Sequence, residues 1–198
     1  MSADWRALER AAGAAAARLR EAWEAPDRAQ EAMLARILAQ GADSAFGRAH
    51  GFGAIDGVAS FRRRVPVRGY DDFAPWIGRA AVGEAQVLTA APPLCFEETS
   101  GSAGARKLIP CTAALLEDFR AAALPWLDAA LAAAPQRSGA LYVALSPATR
   151  APRRTPGGAP IGLSSDAAYL GEELGAALAG LLAAPPEIGA IMDVAAWR

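Results

Sequence analysis

Residues 94–111 read Leu94-Cys95-Phe96-Glu97-Glu98-Thr99-Ser100-Gly101-Ser102-Ala103-Gly104-Ala105-Arg106-Lys107-Leu108-Ile109-Pro110-Cys111. The polar centre of this stretch decides the fold. Residues 94–98 predict a strand and 107–111 a second, with hydroxyls, two glycines and a lysine between them. Thr112 is suited to cap a helix whose apolar positions include Leu116, Phe119, Ala123 and Leu127. Strand, glycine-rich turn and helix together form the usual setting of a nucleotide-phosphate site.

Working outward, Leu141-Tyr142-Val143-Ala144-Leu145 predicts a buried strand, and residues 147–162 a loop rich in proline, glycine and arginine. Leu170, Leu174, Leu178 and Leu181 mark a further helix, stopped by Pro185-Pro186. Upstream, residues 42–93 are dense in glycine and proline, so their elements should be short and irregular. Val65-Pro66-Val67 predicts extended chain, Tyr70-Asp71-Asp72-Phe73 a turn into a short helix, and 85–88 a brief strand. At the start, Trp5, Leu8, Ala12, Ala15, Leu19 and Trp23 share one helical face, and Pro26 ends that helix. Asp27 is suited to cap the next, with Gln30 reciprocating, with Met33, Leu34, Ile37 and Leu38 as its apolar side and Gly41 as its exit. The pattern predicts an α/β fold with a helical N-terminal region.

The composition excludes several functions. Twenty basic and 21 acidic residues leave a net charge of -1, which provides no general field for nucleic acid. Arg62-Arg63-Arg64 is the densest basic cluster and suits a solvated face. No apolar run reaches the roughly 20 residues of a spanning helix, so no membrane partner is expected. Cys95 and Cys111 are the only cysteines, and Asp4, Arg6, Glu9 and Arg10 interrupt any export-type apolar core, which predicts a cytoplasmic protein with reduced thiols. A lone His50 with two separated cysteines makes no metal cluster, and no metal-ligating residue is assigned.

Phosphate is held by convergent N–H groups, small hydroxyls and a cation. Thr99, Ser100 and Ser102 supply hydroxyls, Gly101 and Gly104 permit close main-chain approach, and Lys107 supplies charge, while Arg106 is expected to face solvent. Glu97 and Glu98 suit magnesium coordination, proton acceptance or plain solvation. The spacing fits neither the Gly-x-x-x-x-Gly-Lys phosphate loop nor the Gly-x-Gly-x-x-Gly dinucleotide pattern, so a plain surface turn stays open beside a phosphate loop. Serine hydrolysis is disfavoured, because Ser100 lacks the Gly-x-Ser-x-Gly elbow and His50 precedes every candidate serine. Nothing fixes a geometry for Cys95 or Cys111 with His50.

The stretch TSGSAGARK resembles the signature Thr-Ser-Gly-Ser/Thr-Thr/Ser-Gly-x-Pro-Lys of the adenylate-forming superfamily of acyl-CoA synthetases and luciferases, with Ala103 in place of a hydroxyl residue and Arg106 in place of proline. Phe61 to Val67, Tyr70 to Phe73, Phe96 to Ser102 with Lys107 to Pro110, and Pro160 to Gly162 with Asp166 to Tyr169 narrow the resemblance. They are similar to the auxin-responsive acyl-acid amido synthetase family, and specifically to its bacterial branch. The resemblance implies an ATP-dependent ligase that activates a carboxylic acid as an acyl-adenylate and passes the acyl group to an amine or amino acid, with Mg2+ assisting. It assigns Thr99, Ser100, Gly101, Ser102 and Gly104 to phosphate binding and Lys107 to an electrostatic or loop-stabilising catalytic role.

Members of that family are more than twice this length. The expectation is therefore one partial N-terminal adenylation domain over residues 1–198, with a helical lead-in at 1–41 and a strand–helix region carrying the phosphate loop at 94–184. The end at Asp193-Val194-Ala195-Ala196-Trp197-Arg198 suggests a chain interrupted inside an element, hence a fragment inactive by itself. The alternative is a non-catalytic, helix-rich binding or structural fragment.

Overall fold

The computed structural model describes residues 3–99, 106–133, 140–142, 152–163 and 166–184. The chain divides into two compact units, one of residues 1–21, 114–151 and 163–198 and the other of residues 22–113 and 152–162.

The chain opens with α1 (Ala3–Glu24) and α2 (Pro26–Gly41). Trp5, Leu8, Ala12 and Ala15 of α1 are buried as their spacing requires, whereas Trp23 is 72% exposed, beyond the end of the packed stripe. The helix break at Ala25 has a different chemistry from the one expected. Pro26 takes the first helical position, where its missing N–H costs nothing, and Asp27 lies in the first turn and not at the cap. There its carboxylate still complements the positive end of the helix dipole. On α2, Leu38 is buried and Leu34 half-buried, while Met33 and Ile37 are exposed, so the apolar side is narrower than its pattern.

In the first unit, Trp5 and Leu8 pack with Leu131 and Leu181, joined by Leu127 and Leu141. Leu131 and Leu127 come from α6 (Ala113–Ala133), and Phe119 of that helix stays partly exposed, with its ring 4.9 Å from that of Tyr169. Leu141 forms an isolated parallel bridge with Leu182; the remainder of the strand expected at 141–145 lies outside the described residues. α7 (Glu172–Ala179) buries Leu178 and ends at Gly180, ahead of Pro185. The chain end at 193–198 also lies outside the described residues.

In the second unit the glycine-rich region yields short helices, α3 (Ala45–Ala49), α4 (Val58–Arg64) and α5 (Tyr70–Ala81). Residues 85–88 are not a strand. Their polar backbone is used otherwise: the Gln86 and Val87 carbonyls accept the Ala45 and Phe46 N–H groups at 2.7 and 2.9 Å, satisfying the open start of α3. Ser44, fully buried, completes that start by accepting the Gly47 N–H at 2.9 Å and donating to the Gly41 carbonyl at 2.7 Å. Ser44→Ala should therefore cost about 1–2 kcal/mol in urea unfolding, the upper range of a lost cap. A loss below a few tenths would show that water replaces the hydroxyl.

β1 (Cys95–Glu98) and β2 (Leu108–Cys111) pair antiparallel, with Cys95 opposite Cys111 and Glu98 opposite Leu108. The region read as a loop at 147–162 contains β3 (Arg153–Arg154) and β4 (Pro160–Ile161), giving the sheet order β2-β1-β4-β3 with β4 parallel to β1. Strands of two residues are too short to show an alternating pattern, so composition alone made them look like loop. α5 covers the sheet: Ile77, Ala80 and Ala81 pack with Val87 and the fully buried Phe96. Phe46 is the hub of a neighbouring cluster, with ring centroids 5.9, 5.6 and 5.5 Å from Phe52, Phe73 and Trp76. The fold is thus mixed α/β with a helix-rich N-terminal region. Among the described residues no helix is long and apolar enough to cross a membrane.

Candidate functional site

β1 and β2 present the two ends of the glycine-rich segment to each other. The Thr99 N–H donates to the Lys107 carbonyl at 3.0 Å, and the Lys107 N–H donates to the Thr99 hydroxyl oxygen at 3.3 Å. The chain on either side of segment 100–105 is thus paired at Thr99 and Lys107. Of the residues expected to bind phosphate, Thr99 stands in this pair with Lys107 opposite, whereas Ser100, Gly101, Ser102 and Gly104 lie outside the described residues.

Lys107 is exposed, and its ammonium lies over the Tyr70 ring, 5.0 Å from the centroid. The phenol of Tyr70 accepts the Leu108 N–H at 3.0 Å and donates to the Leu108 carbonyl at 3.2 Å. Tyr70 occupies this place because α5 starts at it, with the Asp72 carboxylate accepting the Gly69 N–H at 3.0 Å. From sequence Tyr70 reads only as part of a helix start. An aromatic at the first position of a helix packed on a sheet is a weak signal for a site.

Arg106 does not simply face solvent. Its guanidinium meets Glu98 at 3.0 Å, and Arg153 of β3 meets the same carboxylate at 2.6 and 3.2 Å. Glu98 is thereby engaged by two cations, which argues against magnesium coordination or proton acceptance by it. Arg153 was hidden within the apparent loop, although Arg153-Arg154 followed by Thr155-Pro156-Gly157-Gly158 carries a hairpin signal.

Hydrogen bonding from Arg153, ahead of that from Arg106, holds the Glu98 carboxyl below the usual carboxylate range. A lowered folded value means that its contribution to stability is complete above the unfolded carboxylate pKa of about 4.3 and is lost as pH falls through the folded value. The difference in urea midpoint between the unsubstituted protein and Glu98→Gln should shrink on going from neutral pH to about pH 3. An equal difference at both ends would show that the carboxylate's charge contributes nothing.

The other candidate nucleophiles are held inert. Cys95 and Cys111 are buried opposite each other, and burial pushes the Cys95 thiol up to about 12 and raises that of Cys111. His50 stacks on Phe46 at 4.1 Å with Nδ1 2.8 Å from the Phe46 carbonyl oxygen, a structural placement at the end of α3. Among the described residues, no group of three or more His, Cys, Asp or Glu is disposed to hold a metal ion.

Residues 15–196 match the GH3 family N-terminal domain. The chain belongs to the GH3 family. Its curated relatives include a putative indole-3-acetic acid-amido synthetase, GH3.10, of Oryza sativa subsp. japonica, 42% identical over 42% of this chain and 18% of that protein. Another is the indole-3-acetic acid-amido synthetase GH3.17 of Arabidopsis thaliana, 41% identical over 44% of this chain and 15% of that protein. In fold, this GH3 chain resembles GH3.15 acyl acid amido synthetase at a TM-score of 0.55 and 23% identity, over 82% of this chain and 27% of that one. It also resembles AtGH3.15 acyl acid amido synthetase in complex with 2,4-DB, at a TM-score of 0.50 and 26% identity, over 67% of this chain and 23% of that one. The matched region spans under a third of the length of these relatives.

The similar amido synthetases are plant proteins, which corrects the assignment to a bacterial branch.

Proposed function

We propose that the whole protein is an ATP-dependent acid-amido ligase acting in the cytoplasm on a small carboxylic acid and an amine or amino acid. The observation that carries this reading is the strand–loop–strand unit of β1, TSGSAGARK and β2, with Lys107 at the loop exit, in a chain of the GH3 family. In the first half-reaction a carboxylate oxygen attacks the α-phosphorus of ATP and the bond to the β-phosphate bridging oxygen breaks, releasing pyrophosphate. An amine then attacks the acyl carbon, AMP leaves, and the amine proton passes to solvent. Both halves transfer negative charge onto phosphate oxygens.

Thr99, Ser100, Gly101, Ser102 and Gly104 are proposed to cradle those oxygens, with the Lys107 ammonium offsetting their charge. An exposed ammonium beside an exposed threonine at the loop base suits an incoming polyphosphate. Magnesium is the metal this chemistry would employ, held largely by the phosphates themselves; among the described residues Glu98 is already engaged by two arginines. The test is acid-dependent exchange of labelled pyrophosphate into ATP by the full-length protein. Exchange with at least one member of a broad acid panel is expected; none from a folded protein would overturn the reading.

A further inference from the structure

We infer that Tyr70 is a positioning residue for Lys107, holding the lysine through its main chain and its ammonium together; the inference rests on the proposed adenylation chemistry. A lysine side chain has four rotatable bonds, and an exposed one samples many positions. Here the exposed Lys107 has partners at both its backbone and its ammonium. Thr99 pairs with its N–H and its carbonyl, at 3.3 and 3.0 Å. The phenol of Tyr70 pairs with both backbone groups of the next residue, Leu108, at 3.0 and 3.2 Å. The ring of the same tyrosine then offers its negative face to the ammonium at 5.0 Å. One side chain thus sets where the lysine starts and where it ends.

Tyr70 is itself firmly anchored. It opens α5, whose Ile77, Ala80 and Ala81 pack with Phe96 of β1, and the tyrosine packs against that cluster with Phe73 and Trp76. The position of Lys107 is therefore referred, through Tyr70, to the packed face of the sheet. That arrangement suits a charge that must meet developing negative charge without reorganising.

The experiment is a double-mutant cycle in the full-length protein, with pyrophosphate exchange giving KM for ATP and kcat. Proton NMR of the Lys107 ε-methylene, assigned by its loss in Lys107→Ala, is the second readout. Tyr70→Leu is expected to raise KM for ATP about 3-fold to 5-fold, and to have no further effect once Lys107→Ala is present. Tyr70→Phe, which keeps the ring and removes the hydroxyl, should retain the ring-current shift of the Lys107 ε-methylene, whereas Tyr70→Leu should lose it. Full additivity of Tyr70→Leu and Lys107→Ala would reduce Tyr70 to a packing residue and overturn the inference. So would an ε-methylene signal at the exposed-lysine position in the unsubstituted protein. If the unsubstituted protein shows no exchange, the ligase reading fails, while the ring-current comparison still decides whether Tyr70 holds the lysine. If Tyr70→Leu does not fold, Tyr70→Phe and the unsubstituted spectrum decide it.

Discussion

Gly47→Ala should destabilise the unit of residues 22–113 and 152–162 by about 3 kcal/mol or more, the severe end of overpacking. A Cβ at Gly47 would lie 2.0 Å from the Gly41 carbonyl oxygen, 2.8 Å from its carbon and 3.2 Å from the Ala42 carbonyl oxygen. All three are backbone atoms at the end of α2, so no rotamer change relieves the clash. The only escape is to move α3 away from α2. That movement breaks the Ser44 hydrogen bonds to Gly41 and Gly47 and draws Ala45 and Phe46 from the Gln86 and Val87 carbonyls. It also displaces Phe46, the hub of the ring cluster. Gly53→Ala is the control, since a Cβ there meets nothing within 4 Å and its cost should stay near 0.5–1 kcal/mol or below. Urea unfolding of both variants makes the measurement. Similar midpoints for the two would show that α2 and α3 can separate without loss, contrary to the packing described.

Lys107→Ala should lower the rate of acid-dependent pyrophosphate exchange by about 100-fold in the full-length protein, the scale of removing one preorganised stabiliser of developing charge. The lysine follows the glycine-rich segment, and its backbone pairs with Thr99 on the other side of that segment. Its side chain is exposed, so its removal leaves no cavity, and the thermal midpoint should move little. Activity and stability should therefore separate in this variant, whereas Gly47→Ala strikes stability first. A fall in kcat as well as kcat/KM would place the lysine's contribution in the transition state; a rise in KM alone would place it in ATP binding. Unchanged kinetics would remove Lys107 from the machinery.

The long N-terminal helices were legible because their apolar residues repeat at helical spacing over many turns, and Pro26 punctuates them. The β1–β2 pair was legible because two short apolar runs flank a polar glycine segment. Its register was not: setting Glu98 opposite Leu108 depends on backbone pairing between the strands, which residue types alone do not specify. The strand expected at 85–88 failed for a related reason. A short apolar run satisfies its backbone in any available way, and here a helix start supplied the donors. Asp27 failed as a cap because proline beside it already fits the first helical position.

The site shows the same division. TSGSAGARK and its neighbours pointed to phosphate chemistry, since the types of residue that bind phosphate are few and were adjacent in the chain. The pairing of Arg106 with Glu98 was not legible, because the carboxylate lies on the opposite strand, eight residues before it. The roles of Arg153 and Tyr70 do not show in the sequence, because each meets its partner from a distant segment that the fold delivers.

By itself, then, the order of amino acids determined the α/β character and the helical beginning and singled out a candidate phosphate-binding segment, all of which rest on residues near one another in sequence. The tertiary structure decided which charges meet at Glu98 and which ring lies under Lys107. Those pairings require β3 to join the sheet and α5 to pack against Phe96, as long-range burial and backbone hydrogen bonding dictate.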